Sequence, residues 1–205
     1  MAELILIRHG KTAGNLLGRY IGSRTDEPLC DEGREGLAGK QLPEVERLYV
    51  SPMKRCVETA EILWPGFDRK KMQKVTDLRE CDFGDFENKN YKELSGNGDY
   101  QAWIDSNGTL PFPNGESMDA FKSRCLEAFA RIVEEGSGAE QEWIASGKTG
   151  IFRAGIVVHG GTIMAILEQY GYPKAAYFDY QVKNGCGYRL TPVEGTRLWN
   201  CLCLQ

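Results

Sequence analysis

The chain has no long run of basic residues, and its formal net charge of −4 removes the electrostatic ground for nucleic-acid binding. It has no apolar stretch long enough to span a bilayer, so no membrane association is expected. Met1-Ala2-Glu3, followed by β-favouring residues, lacks the charged start and long apolar run of a signal peptide, which makes the cytoplasm the expected location. Among seven cysteines there is no Cys-x-x-Cys, and an odd number suits a reducing compartment better than a disulfide framework. Cys56, Cys125 and Cys186 stand in apolar patterns and read as small buried hydrophobes, while Cys201 and Cys203 alternate onto one face of a terminal strand. No cysteine pair has metal-ligand spacing and both histidines are engaged elsewhere, so no metal site is expected. Internal repeats and low-complexity tracts are also lacking.

What is present is the composition of an ordinary globular protein: 205 residues, 41% hydrophobic and 26% charged, enough for one domain over 1–205 with a real core. Short β-rich runs predict strands at Leu4 to Arg8, Arg47 to Val50, Lys74 to Asp77 and Ile156 to Val158, then a hairpin of Tyr188 to Thr191 and Arg197 to Leu202 around Val193-Glu194-Gly195-Thr196. Helices are expected between them. One is capped by Asp31 and runs through Gly33 to Leu42; another has Ser51 as N-cap and Pro52 at its first position and leads into Met53 to Trp64. The spacing of Met118, Phe121, Cys125, Ala128 and Ile132 predicts a helix from about Glu116 to Glu135, and Thr162 to Tyr170 forms one more. Gly136 to Gly150 reads as a linker with a short helical piece at Glu140 to Ala145. Strands alternating with helices predict an α/β three-layer sandwich, a mainly parallel sheet flanked by helices, with the hairpin at its edge. Between about residues 81 and 115 the pattern loosens into Gly, Asn and aromatics, with a short helix near Tyr100 to Asp105. An insertion there, after a strand end, is placed to select substrate.

The two histidines both follow an apolar run and precede glycine, His9 in Leu4-Ile5-Leu6-Ile7-Arg8-His9-Gly10 and His159 in Ile156-Val157-Val158-His159-Gly160-Gly161. Buried parallel strands place their carboxyl ends at a ligand crevice, so one shared site is expected. Arg8 sets a fixed positive charge beside a potential nucleophile, and Asn15 can donate its amide to an oxyanion. Arg55 falls in the first turn of a helix, where unpaired N–H groups already favour anions. Two arginines, two histidines and a helix amino terminus fit a phosphate better than a carboxylate. At the third strand end Glu80, Asp82, Asp85 and Glu87 are all candidates for a proton donor, and the residues themselves do not choose among them.

Taken together, Arg8-His9-Gly10-Lys11-Thr12-Ala13-Gly14-Asn15, Ser51-Pro52 with Arg55 and Thr59-Ala60, Leu78-Arg79-Glu80 with Phe83-Gly84, Gly115-Glu116-Ser117 and His159-Gly160-Gly161 resemble the histidine phosphatase superfamily, in its phosphoglycerate mutase-like branch. The resemblance covers nearly the whole chain and implies a phosphoglycerate mutase-like fold. It implies His9 as the nucleophile that becomes a phosphohistidine, and Arg8, Arg55 and His159 as the groups that hold the phosphoryl, assisted by Asn15 and the Gly160 backbone. Glu80 is implied as general acid and then base. No cofactor is implied, and the partner is a small phosphorylated metabolite; monomer and homo-oligomer remain equally open. Arg19-Tyr20-Ile21-Gly22, Thr25-Asp26 and Pro28-Leu29 are similar to bacterial members that dephosphorylate α-ribazole phosphate, which makes Ile21 and Gly22 candidates for specificity. Lys11 stands where many members carry Glu or Gln and adds charge at the pocket mouth, a further specificity candidate. Asn88 stands where the family usually has Gly, so the loop beyond Glu80 is expected to differ in shape. Hydrolysis is the favoured reaction; mutase-type transfer and a non-catalytic phospholigand-binding role are the alternatives.

Overall fold

A computed structural model describes residues 3–205. Seven strands, β1 (Glu3–Arg8), β2 (Arg47–Val50), β3 (Gln73–Lys74), β4 (Arg153–Val158), β5 (Gly171–Tyr172), β6 (Gly187–Pro192) and β7 (Trp199–Leu204), form one sheet in the order β3-β2-β4-β1-β6-β7-β5. β2 pairs in parallel with β3 and β4, β4 with β1, and β5 with β7, whereas β6 is antiparallel to both neighbours. Six α-helices accompany it: α1 (Ala13–Leu16), α2 (Asp31–Glu35), α3 (Lys54–Leu63), α4 (Gly98–Asp105), α5 (Met118–Ala145) and α6 (Gly160–Tyr170).

The alternation of a strand explains the three layers. Leu4 and Leu6 of β1, with Ile156 and Val158 of β4, point to one face, where Phe129 and Ile132 of α5 and Ile163 and Ile166 of α6 cover them. Ile5 and Ile7, with Val157, point to the other, against Cys56, Ala60 and Leu63 of α3. Both faces of the central strands are buried, which is why these strands read as continuous apolar runs. A third cluster, Cys81, Phe86, Leu94 and Phe112, fixes the 81–115 segment to Phe121 and Cys125 of α5.

Several expectations are corrected. The helix predicted from Asp31 to Leu42 ends at Glu35, and its N-cap is Cys30, whose sulfur accepts from the Gly33 N–H. Gly36 and Gly39 weaken the helix beyond that point, and Gly39 turns to φ +78. Gly33 is needed for space, because a Cβ there would stand 2.1 Å from the Lys11 carbonyl oxygen. Ser51 does not cap α3. The cap is Met53, and the Asp26 carboxylate supplies the missing acceptor to the Lys54 N–H at 2.7 Å, because the Ser51 hydroxyl is engaged by His159.

The expected linker over 136–150 is instead the continuation of α5 to Ala145, about 42 Å of helix in all. Extension adds one hydrogen bond per residue without a new nucleus, and the Ala and Glu residues around Gly136 and Gly138 favour it. Trp143 then packs against Phe152 at 6.0 Å. The third strand is shorter than expected, and Thr76–Leu78 is a 3-10 turn. The hairpin is β6–β7, but it is not the sheet edge; β5 pairs outside it. Of the cysteines read as buried, Cys56 and Cys125 are, and Cys186 is only partly so.

Candidate active site

β1, β4 and β2 are neighbours, so their carboxyl ends lie side by side. The His9 N–H donates to the Val158 carbonyl at 2.9 Å, and the Ser51 N–H to the Val157 carbonyl at 3.0 Å, extending each ladder past its last strand residue. This register brings the two histidine rings to 5.2 Å between centroids at an interplanar angle of 65°.

His9 is buried, and its Nδ1 lies 2.7 Å from the Gly10 carbonyl oxygen. A carbonyl can only accept, so Nδ1 carries the proton and Nε2 keeps its lone pair. Burial, followed by the Arg55 and Arg8 charges, holds the His9 pKa well below the usual histidine range, so the ring is neutral at physiological pH. A neutral imidazole with a free Nε2 is a competent nucleophile. The Gly10 N–H donates to Thr59 Oγ1 at 2.9 Å, and that hydroxyl donates to the Arg55 carbonyl, so α3 and the His9 turn are joined.

Arg55 is fully buried. Its Nη1 donates to the Thr25 carbonyl at 2.9 Å, and its Nη2 to the carbonyls of Ile21 at 3.3 Å and Gly22 at 3.1 Å. Arg8 donates from Nη1 to the Val182 carbonyl at 2.7 Å. Both guanidiniums keep a buried Nε–H with no hydrogen-bond partner. An unpaired buried donor costs about 1–3 kcal/mol, a cost that an anionic oxygen offsets.

His159 is the N-cap residue of α6, and its Nε2 lies 2.7 Å from Ser51 Oγ. Burial and the Arg55 charge push its pKa well below the ordinary value. Cys56 Sγ lies 3.6 Å from the same nitrogen, but burial pushes that thiol up to about 12, so it stays protonated. Glu80 reaches over the start of α6, with Oε2 4.0 Å from His159 Nδ1 and Oε1 accepting the Cys81 N–H at 3.0 Å. Burial raises its pKa above that of a free carboxyl, against the lowering effect of that N–H and the nearby arginines. The other three carboxylates are engaged elsewhere: Asp82 pairs with Arg24, Asp85 accepts from Asn114, and Glu87 accepts the Gly22 N–H.

The remaining expected residues are distributed around this centre. Asn15 sits in α1 with its Oδ1 accepting from the Thr12 N–H and from Asn184 Nδ2, each at 3.2 Å. Gly160 opens α6, and a Cβ on it would touch the Arg8 guanidinium at 3.4 Å. Ile21 and Gly22 face Arg55 with their carbonyls. Lys11 is half-buried and paired with Glu32 at the rim of a cavity of about 560 Å³ that Arg8, Lys40 and Lys183 also line. Asn88 adopts φ +55, the left-handed conformation that glycine takes freely and Asn tolerates best among other residues, so the backbone there keeps a glycine-like turn.

Sequence reasoning missed four positioning groups. Thr59 enters the sequence reading only within a motif, and Ser51 only within a motif and as a helix cap. Asn184, in an Asn-Gly turn, donates to the His9 carbonyl at 3.1 Å. Arg124 donates to the carbonyls of Asp77, Arg79 and Glu80 while it pairs with Glu116 at 2.7 Å. An arginine on the predicted apolar helix of residues 116–135, one position before buried Cys125, was the available signal for it.

Residues 4–203 match the family model of the histidine phosphatase superfamily, branch 1. The chain is 30% identical over 178 residues to phosphoglycerate mutase-like protein 4 of Arabidopsis thaliana, covering 82% of this chain and 70% of the relative. It is 28% identical over 203 residues to the adenosylcobalamin/alpha-ribazole phosphatase of Salmonella typhimurium, covering 94% and 92%. The crystal structure of the alpha-ribazole phosphatase from Shigella flexneri superposes with a TM-score of 0.75 over 98% of this chain and 95% of that one. At 24% identity this last likeness is one of fold.

Proposed function

The chain belongs to the histidine phosphatase superfamily, and from that premise we propose that it hydrolyses a small phosphomonoester through a phosphohistidine on His9. The observation that carries this reading is the His9 Nδ1 contact to the Gly10 carbonyl, which leaves Nε2 unprotonated beside two arginines with unpaired buried N–H groups.

In the first step His9 Nε2 attacks phosphorus while Glu80, whose protonated form burial favours, donates its proton to the leaving alkoxide. Arg8, Arg55 and His159 hold the equatorial oxygens, with Asn15 and the Gly160 N–H assisting. In the second step the Glu80 carboxylate takes a proton from the attacking water, and the P–N bond breaks to release inorganic phosphate and neutral His9. Phosphoryl transfer asks mainly for positioning and charge stabilisation, and two arginines supply the positive charge that a divalent cation supplies elsewhere. Among the described residues no three His, Cys, Asp or Glu side chains gather as a metal site.

The 81–115 segment is assigned to substrate selection, as are Lys11 and the Ile21-Gly22 turn. The substrates to screen are α-ribazole phosphate, because the Salmonella relative is named an adenosylcobalamin/alpha-ribazole phosphatase, together with phosphorylated sugars, glycolytic acids and nucleotides. Release of phosphate from p-nitrophenyl phosphate is the expected result, and no release would favour a non-catalytic phospholigand role. With phosphoglycerate as substrate, isomer without free phosphate would favour a mutase.

A further inference from the structure

The 81–115 segment closes over α5 and α6 to leave a cavity of about 160 Å³ whose wall includes Glu80 and Gly161. Seven rings line it: Tyr20, Phe83, Trp103, Phe112, Phe121 and Tyr177, with Phe178 at the rim. Among the described residues no lysine or arginine does, and Glu80 is its only carboxylate. Lys122 lies 4.5 Å from the centre of the Tyr177 ring, but it pairs with Glu168 and is not part of the wall. The rings brace one another, Phe83 on Phe112 at 5.0 Å, Trp103 on Phe112 at 5.2 Å and Tyr20 on Phe83 at 5.5 Å. The two phenols are tied off: the hydroxyls of Tyr20 and Tyr100 lie 3.2 Å apart, and the Tyr177 hydroxyl donates to the Gly161 carbonyl at 3.4 Å. Trp103 Nε1 is buried with no partner.

We infer that this cavity takes the leaving group of the substrate and that the leaving group is an aromatic ring, joined to the phosphate through an alkyl carbon and oxygen. The inference rests on the hydrolase reading above, because Glu80 must protonate the leaving oxygen and the group beyond that oxygen therefore lies on the Glu80 side of the site. A wall of rings with one unpaired N–H and no cation leaves a substrate carboxylate or second phosphate without a counter-charge. The same wall accepts a flat apolar ring by burial and edge-to-face contact. Its size fits, since an apolar cavity of about 150 Å³ is enough to hold benzene. Rings already packed against each other lose little freedom when the ligand enters.

The test measures binding apart from turnover. Calorimetry with the non-hydrolysable probes benzylphosphonate and methylphosphonate is expected to show the benzyl compound binding about 100-fold tighter, the effect of burying one ring. Trp103→Ala should reduce that ratio at least tenfold. Phe178→Ala, at a rim residue that is 65% exposed and so tolerates truncation, should reduce it several-fold should the tryptophan variant fail to fold. Equal binding of the two probes to the native protein, or a ratio unchanged in a folded Trp103→Ala, overturns the inference. In parallel, kcat/KM for benzyl phosphate should exceed that for glycerol phosphate by a similar factor. Release of phosphate from neither ester would sink the hydrolase reading, while the calorimetric ratio would still decide whether the cavity binds a ring.

Discussion

At the scale of single residues, each member of the site carries a distinct chemical expectation. His9→Ala should reduce turnover by several orders of magnitude with the fold intact, and rapid quench of the native enzyme should trap an acid-labile, base-stable phosphoryl adduct. Finding the adduct on another residue would displace His9. Glu80→Gln should slow an alkyl phosphate by about 10²–10⁴-fold, the usual contribution of a positioned proton donor, and slow p-nitrophenyl phosphate far less, because nitrophenolate leaves unaided. Equal losses on both substrates would point to pocket damage instead. The pH profile follows from the same groups. Neutral His9 is present above its lowered pKa, and protonated Glu80 is present below its raised one, so alkyl-phosphate hydrolysis should favour acid and fall on the alkaline side. That alkaline limb should vanish in Glu80→Gln.

At the scale of elements, the Glu80 loop is held by α5 through Arg124. Arg124→Leu strands a Glu116 carboxylate that is 13% exposed, and breaking such a pair costs about 3–5 kcal/mol. Adding Glu116→Leu should restore most of the melting temperature while kcat on an alkyl phosphate stays low, since the carbonyls of Asp77, Arg79 and Glu80 have still lost their donor. Recovery of both together would make Arg124 merely structural. This pairing also marks the limit of what the sequence discloses. The strand-His-Gly runs are legible because burial on both sheet faces enforces apolar continuity, and the arginines are legible because of where they follow those strands. Ser51 misleads as a cap because a hydroxyl beside a proline satisfies the local rule, while its real partner is 108 residues away. Gly136 and Gly138 mislead for the same reason: local propensity argues for a break, and the momentum of a long helix with its Trp143–Phe152 contact overrides it. The choice among Glu80, Asp82, Asp85 and Glu87 depends on loop geometry, which carries no periodic signal.

At the scale of the whole molecule, the two histidines make stability depend on pH. Both have folded pKa values well below 6.5, so as pH falls under 6.5 the unfolded chain takes up protons that the native one refuses. Unfolding free energy should therefore decline on acidification, by up to about 1.4 kcal/mol per pH unit for each histidine. Glu80 opposes this just above 4.5, where the native chain alone holds its proton, but one carboxyl does not outweigh two imidazoles. Melting temperatures at pH 7 and pH 5 should show the fall, and His159→Gln should reduce it, leaving the part due to His9. Phosphate release should also persist in excess EDTA and be inhibited by vanadate, which adopts the five-coordinate geometry of the transferring group; activity lost on chelation and restored by magnesium would refute the charge assignment to Arg8 and Arg55.

The two halves of the chemistry also differ in how long they stay in place. The His9 amide is bonded to Val158 at the carboxyl end of the central strands, beside the buried core, and it exchanges with solvent only when those strands part. Glu80 rides on a segment outside the sheet, tethered by side chains, and such segments detach at a smaller free-energy cost. In deuterium exchange the amide of His9 should outlast that of Cys81 by a wide margin. On slow heating the protein should lose its competence toward alkyl phosphates while it still releases nitrophenol, because the nucleophile outlives the acid.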